Sequence, residues 1–458
     1  MVIIRRRSSS RPARIPTSRK PSDIITHCGP GEMPGPHRSR PSSPLTRVSF
    51  AATLANLVGY RPSEGEAWMS AATREYPASV SVVVVGGGVT GTSVAWQLAR
   101  RGIDVALFEQ EHLAWGASGR NGGQTGVEAN YGSGIIPHRL RSLEIFREAE
   151  RELGEFEYDQ CGRLRLWLGE PGEHPIPDPT RPEADEYALG DEILTGDEAR
   201  ERLPLLSERV IAARWVPTSG RLWPFKLVHR FAEGATRHGA RIYNGATVER
   251  LVAADGRVQG VVVDGQMVRA QWVVNAANAW AGPLADTAGL KLPVMPWRGQ
   301  IVVTESVRPM LPFTMGHFVH RSSNYWQQTR DGKFVIGGSR VLDTVGRDNL
   351  HDRSVSPDIL QKTLSMLVAA LPALRDVRIV RAWGGTMGFT PDGNPYIGET
   401  ELRRGLLLAC GFSGSGLSWA PVAGELLAQI VAGEPLSLSL DPIHPDRETG
   451  QLADGEVA

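Results

Sequence analysis

Cysteine is scarce in this chain: three in 458 residues, Cys28, Cys161 and Cys410, with no C-x-x-C spacing. That excludes a disulfide framework and a thiolate zinc site, and it suits a reducing, cytoplasmic setting. Uninterrupted apolar runs of the roughly 18 residues a spanning helix needs are missing too, which predicts a soluble protein. Net charge is zero, 50 Lys+Arg against 50 Asp+Glu. The balance is uneven, because residues 1–60 hold nine Arg and one Lys against Asp23 and Glu32, a charge of +8 that leaves −8 on the rest. A body without a basic stripe gives no reason to expect a nucleic-acid partner. No Ser-His-Asp set or carboxylate pair stands out, and His317 and His320 lack a third ligand, so no metal site is expected.

What is present begins with length, enough for two or three domains. Residues 1–77 mix Arg, Ser and Pro in a segment too polar to offset its chain entropy, and are predicted to be a disordered basic extension. They also resemble a transit peptide, and Arg5-Arg6-Arg7 a twin-arginine signal, although the apolar stretch such a signal needs comes late, at 48–60. From Ser81 the texture changes to a valine-rich strand, a glycine turn and a helix over 92–101 with Val94 and Leu98 on one face. Gly102 ends that helix, and Ile103, Val105 and Leu107 form a second strand stopping at Glu109, so 81–109 reads as one βαβ unit.

Further on, a helix over 224–238 and strands over 241–244, 248–253, 258–263 and 272–274 suggest a helix packed on a small sheet. Strands over 301–304, 325–329 and 333–337, the last two joined by an Asp331-Gly332 hairpin turn, suggest a separate antiparallel sheet. A final helix over 418–431 follows the loop GFSGSG, and 441–458 is predicted to be a polar tail.

The hexamer Gly86-Gly87-Gly88-Val89-Thr90-Gly91 fits G-x-G-x-x-G, and its context gives it meaning: it follows a strand, opens a helix, and has Glu109 at the end of the next strand. Glycines permit the tight turn and close approach of a pyrophosphate, the helix N-terminus attracts it, and the carboxylate accepts from ribose hydroxyls. Which dinucleotide is meant stays open at this point.

The residues after Glu109, through Trp115-Gly116-Ala117-Ser118-Gly119-Arg120-Asn121-Gly122-Gly123-Gln124, with Arg221-Leu222-Trp223-Pro224, WVVNAANAW over 272–280, YWQQTRDGKFVIGG over 325–338 and CGFSGSGL over 410–417, carry a resemblance. In this order and spacing the chain resembles the D-amino-acid oxidase and glycine oxidase superfamily, most closely its γ-glutamylputrescine oxidase type, over roughly 81–433. The resemblance implies an α/β fold: a Rossmann-like, glutathione-reductase-type FAD domain from 78–150, 205–295 and 380–440, and an α+β substrate domain on an antiparallel sheet from 151–204 and 296–379. It implies noncovalent FAD rather than NAD. The residues it places at FAD are Gly86, Gly88, Val89, Thr90 and Gly91 at the first turn, Glu109 and Gln110 after the second strand, and Gly116, Ala117, Ser118, Asn121, Gly122, Gly123 and Gln124 in the loop. Val248, whose matching backbone contacts adenine, and Gly411, Phe412, Ser413, Gly414, Ser415 and Gly416 before the last helix complete the set.

Departures from the family bear on the substrate. Met387 stands where glycine oxidase has an arginine for the substrate carboxylate, and methionine cannot pair with one. An amine without a carboxylate beside its reacting end, such as γ-glutamylputrescine, or an N-substituted amino acid fits better. Ser415 replaces a frequent histidine, Gly385 the cysteine that bonds flavin in sarcosine oxidase, and Val335 a lysine that assists oxygen reduction. Lys333, two residues earlier on the same strand face, could substitute, but the favoured reading of it is an exposed hairpin lysine. Tyr325 and Trp326 are adjacent on a strand and face opposite ways, so at most one reaches the pocket, with Tyr325 the candidate beside Met387 and Ser415. The expected activity is oxidation of a C–N bond of a primary or secondary amine by hydride transfer to flavin N5, the imine then hydrolysing, with O₂ or another acceptor taking the electrons. The alternatives are a dehydrogenase using a non-oxygen acceptor, an RNA-associated flavin module tethered by the basic extension, and a non-catalytic flavoprotein subunit.

Overall fold

The computed structural model describes residues 74–128, 133–170, 172–173, 186–319 and 322–447. Cys28, His320 and nearly all of the predicted extension lie outside them. Glu75 to Ala458 form one unit.

The strand β1 (Ser79–Val85) shows how the first layer is built. Val82, Val83 and Val84 are fully buried, with Val82 and Val84 in one apolar cluster and Val83 and Val85 in another. Alternate side chains of a strand face opposite ways, so a run of valines without polar interruption belongs to a sheet covered on both faces. Each contributes about 1.5–3 kcal/mol by leaving water. The sheet runs β17 (Tyr396–Glu399), β18 (Leu406–Cys410), β11 (Gln266–Asn275), β1, β2 (Val105–Glu109), β8 (Arg241–Asn244). Its pairs are parallel from β18 to β8, and β17 closes it antiparallel. The helices α1 (Val89–Ala99), α2 (Ile136–Leu153), α3 (Pro224–Arg237) and α5 (Gly416–Ala432) supply the cluster on one face.

The strands expected as a small sheet under α3 are part of the parallel sheet and its extension. Strand β8 joins the edge of the parallel sheet beside β2, and β11 lies at its centre. β11 is long enough to serve twice: its first half pairs antiparallel with β10 (Arg257–Val263), which pairs with β9 (Val248–Ala254), and its second half pairs parallel with β1.

The second sheet runs β16 (Ile379–Phe389), β12 (Met295–Ser306), β15 (Lys333–Thr344), β14 (Ser322–Gln328), β13 (Thr314–Val319), β4 (Arg163–Leu168), β6 (Val210–Val216), β5 (Glu192–Thr195). It is antiparallel except where β13 meets β4. The hairpin between β14 and β15 turns at Asp331-Gly332, with Gly332 at φ +87°. β12 and β15 extend well beyond the expected strands, and β16 is a strand that was not expected; all three are interrupted by glycines, which weaken the strand signal. In place, those glycines make room: a Cβ on Gly384 would press within 3.2 Å of Arg298 Cδ, and one on Gly337 would strike Tyr325. β6 and β16 belong to this sheet, so the chain passes between the two sheets after Val216 and again after Phe389. Helix α4 (Pro357–Ala370) packs with this sheet, and β3 (Gln124–Thr125) and β7 (Gly220–Arg221) pair with each other as a two-stranded ribbon outside both ladders. Beyond α5 the chain stays attached through 447: Ile443 is fully buried and Arg447 holds Asp392 at 2.8 Å.

Candidate active site

The parallel sheet ends, at the C-terminal edge of β1, in a turn only glycine can make. Gly86 sits at φ +109°, and a Cβ there would lie 2.8 Å from the Ala276 carbonyl oxygen. Gly88 caps α1, and the Val89 N–H donates to Ser118 Oγ at 2.9 Å. Glu109, at the end of β2, accepts from the Gly87 N–H at 2.7 Å and the Glu111 N–H at 2.9 Å, one donor on each oxygen. A carboxylate has about four acceptor positions, so capacity for hydroxyls remains. Burial raises its pKa, opposed by those two donors.

The loop after β2 is fastened by its own side chains. Asn121 donates to the Ala117 and Ser118 carbonyls at 3.1 and 2.8 Å and accepts from the Gly123 N–H at 2.8 Å. Gln124 crosses to the second sheet, donating to the Trp326 and Met315 carbonyls at 3.0 and 3.3 Å. Asn121 thus shapes the loop, and Gln124 ties the crevice to the substrate side. At the far end Ser413 takes a left-handed φ of +48°, its N–H donates to Gly388 O at 3.0 Å, and Ser415 stands at the N-cap of α5 without a side-chain cap bond.

These pieces surround one cavity of about 760 Å³. Gly86, Gly88, Val89, Thr90, Glu109, Gln110, Gly116, Ala117, Ser118, Asn121, Gly122, Gly123, Gln124, Val248, Phe412, Ser413, Gly414, Ser415 and Gly416 line it, and so do Tyr325 and Met387. Gly91 and Gly411 do not. Gly91 packs against the Gly86 carbonyl, where any Cβ would collide, and Gly411 packs behind the loop against Thr390. They let the crevice form without touching its contents. Of the adjacent aromatics, Tyr325 faces the cavity, slotted between Gly122 and Gly337, and Trp326 is fully buried in the core of the second sheet. Burial pushes the Tyr325 phenol up to about 12, and the Gly122 N–H opposes that shift.

Other expected groups stand elsewhere. Lys333 pairs with Asp331 of the hairpin turn and does not line the cavity. Gly385 abuts the Arg120 side chain, at 2.8 Å from a built Cβ to Cδ. Cys410 is a fully buried strand thiol pushed up to about 12 by burial. His317 is buried, neither ring nitrogen bonds a described residue, and burial pushes it down to about 4. No helix among the described residues is long and apolar enough to cross a membrane.

Sequence reasoning missed a buried ionic group in the wall of the same cavity. Glu128, 2% exposed, pairs with Arg163 at 3.0 Å and with Arg165, and Arg139 lines the wall with its guanidinium 4.6 Å from the Trp419 ring centre. Burial alone would raise Glu128, but Arg165 and Arg163 together hold it below the ordinary carboxylate range. The signal was present in RLRLWL, where Arg alternates with Leu: Leu164 and Leu166 enter the core, so Arg163 and Arg165 share the other face.

A glycine turn opening α1, an acidic residue ending β2 and a second sheet walling the far end define a dinucleotide-dependent oxidoreductase. The sequence model of the FAD dependent oxidoreductase (DAO) family matches residues 81–430, and the chain belongs to that family. It is similar to glycine oxidase of Geobacillus kaustophilus, 28% identical over 384 residues that cover 81% of this chain and 98% of that one. It is also similar to sarcosine oxidase subunit beta of an Arthrobacter species, 28% identical over 394 residues, 82% and 93% of the two chains. Among solved structures, L-proline dehydrogenase from P. horikoshii superposes with a TM-score of 0.73 at 30% identity, over 81% of this chain and 98% of that one. The cofactor is FAD, and the crevice fits it: the Gly86 and Gly88 turn, the α1 N-terminus and the remaining acceptor capacity of Glu109 suit a diphosphate and a ribose.

Proposed function

We propose that this enzyme oxidises the C–N bond of a primary or secondary amine with noncovalent FAD. One observation carries the reading: the glycine crevice runs without a break into a space walled by Tyr325, Met387 and the start of α5. Bound FAD would supply a two-electron acceptor, at flavin N5, for hydride from the carbon next to nitrogen, leaving an imine that water hydrolyses. The chain contributes the rest. The Tyr325 phenol stays neutral, offering an aromatic face to an ammonium and a hydroxyl to its nitrogen. Met387 is an apolar wall that helps exclude water. The α5 N-terminus places the positive end of a 17-residue helix at the cavity, where it favours negative charge. Cys161 and Cys410 are free thiols away from the cavity, which supports a noncovalent cofactor and a cytoplasmic setting.

The second reading is a dehydrogenase handing electrons to an acceptor other than oxygen. The position of Lys333, bound to Asp331 away from the cavity, favours it. Purified protein is expected to be yellow and to bleach anaerobically when polyamines, N-methyl amino acids or γ-glutamylated amines are added. Colourless protein that takes up no FAD, or flavin indifferent to all three classes, overturns the proposal. Slow oxygen uptake beside rapid dye reduction selects the dehydrogenase.

A further inference from the structure

Three arginines gather on the outer side of the loop that walls the cavity. Trp115 lines the cavity, and its ring carries two guanidiniums, Arg353 at 3.8 Å and Arg120 at 5.4 Å from the ring centre. The Arg120 side chain lies against Gly385 of β16, and alternate residues of that strand, Arg381, Trp383, Gly385 and Met387, share one face. Met387 lines the cavity and Arg381 is exposed, so this face leads from the cavity to the surface. Among the described residues no carboxylate forms an ion pair with Arg120, Arg353 or Arg381. Burial lowers the pKa of Arg120, and the charges of Arg353 and Arg381 lower it further.

The surface beside these arginines is apolar. Of the seven large hydrophobic side chains exposed among the described residues, four flank this loop, Trp223 and Phe225 on one side and Ile379 and Val380 on the other. Phe225 packs on Gly119, where a Cβ would lie 2.8 Å from its ring, and Ile379 and Val380 directly precede Arg381. Arginine and tryptophan set among exposed apolar side chains are the composition of a protein-binding surface. Its occupant must bring negative charge. A second copy facing it about a two-fold axis would set arginine against arginine, which leaves an acidic partner of another kind.

Resting on the dehydrogenase reading, we propose that this face docks an acidic one-electron carrier protein, with its carboxylates on Arg120, Arg353 and Arg381 and an apolar contact on Trp223 and Val380. Arg120 stands outside the cavity while its near neighbours Ser118 and Asn121 line it, so one layer of chain separates a docked carrier from the cofactor crevice. Two carrier molecules in turn each accept one electron from reduced FAD, and the proton that came with the hydride passes to water.

The test uses the FAD-loaded enzyme with rubredoxin, an acidic one-electron iron carrier, and with basic cytochrome c as the counter-probe. Binding is read by isothermal titration calorimetry. Transfer is read as loss of the ferric rubredoxin signal in electron paramagnetic resonance after the flavin has been photoreduced, which needs no amine. Arg353→Glu combined with Arg381→Glu is expected to weaken rubredoxin binding about tenfold or more and to slow its reduction, with cytochrome c bound no more weakly and the melting temperature unchanged. Val380→Asp, which sets a like charge against the carrier, should weaken rubredoxin as well. Should the double variant fold poorly, Arg353→Gln and Arg381→Gln should each weaken rubredoxin by about two- to fivefold, the scale of an exposed ion pair. Rubredoxin binding that no arginine variant weakens overturns the surface, and binding through these arginines without reduction overturns the carrier assignment. Phosphatidylserine vesicles that bind more tightly than rubredoxin, with the same dependence on Arg353 and Arg381, give the face to a membrane and overturn the protein partner. Transfer to rubredoxin that needs these arginines, in a protein whose flavin no amine reduces, upholds the surface and defeats the amine reading instead.

Discussion

Glu109 is held between two backbone donors in a buried corner, and burial of its charge is the largest influence on its titration. Its pKa is raised in the folded protein, so the neutral form is the better bound one. The folding stability linked to it is therefore complete below the ordinary carboxylate pKa and is lost as pH rises through the folded value. In the cofactor-free protein, Glu109→Gln is expected to flatten that slope, read as melting temperature against pH, and in titrations with FAD to weaken binding by about tenfold, the value of one hydrogen bond to a charged group. Tyr325 makes the complementary case. With its phenol near 12 it does not ionise in the neutral range, so Tyr325→Phe should leave the pH profile of anaerobic flavin reduction unshifted while changing its rate. A pKa that disappears from the profile between about pH 7 and 10 would show that this phenol carries the proton transfer.

The elements that matter here are short, and their shape depends on side chains that bond the backbone. Asn121 makes three such bonds across the 117–123 turn. Asn121→Ala leaves a buried N–H and two carbonyls without these partners and is expected to cost about 1–3 kcal/mol. The checks are a lower melting temperature and a reduced flavin-to-protein ratio after gel filtration; unchanged values for both would mean that the loop is shaped by something else. The glycines of β12, β15 and β16 show why these strands were hard to read. Glycine weakens the local strand signal, yet Gly337 is needed because Tyr325 lies against it, and Gly384 because the Ser354 carbonyl and the Arg298 side chain do. The βαβ unit was easier because its valines, glycines and Glu109 act on one another within some thirty neighbouring residues.

Across the whole molecule, two sheets meet around one cavity, and the charges in its wall differ from those that chain order brings to mind. Lysine 333 is the clearest example. It shares a strand with the residue that aligns with the oxygen-assisting lysine, but it is the exposed hairpin lysine the sequence favoured, its ammonium engaged by Asp331 at the turn. Lys333→Met is expected to leave the rate of flavin reoxidation by O₂ within about twofold of wild type in stopped-flow measurements, whereas a cation beside the reacting ring would be worth far more. The sequence by itself determined the family, the cofactor and most of the crevice, since a dinucleotide turn is written in contiguous residues whose conformational needs are local. Only the tertiary structure decided which of Tyr325 and Trp326 faces the cavity, that Gly91 and Gly411 serve packing, and that Arg163 and Arg165 line the same space as Tyr325. The facing of Tyr325, Trp326, Arg163 and Arg165 depends on strand register between segments far apart in the chain, and a one-residue slip in register would turn each of these four side chains to the opposite face.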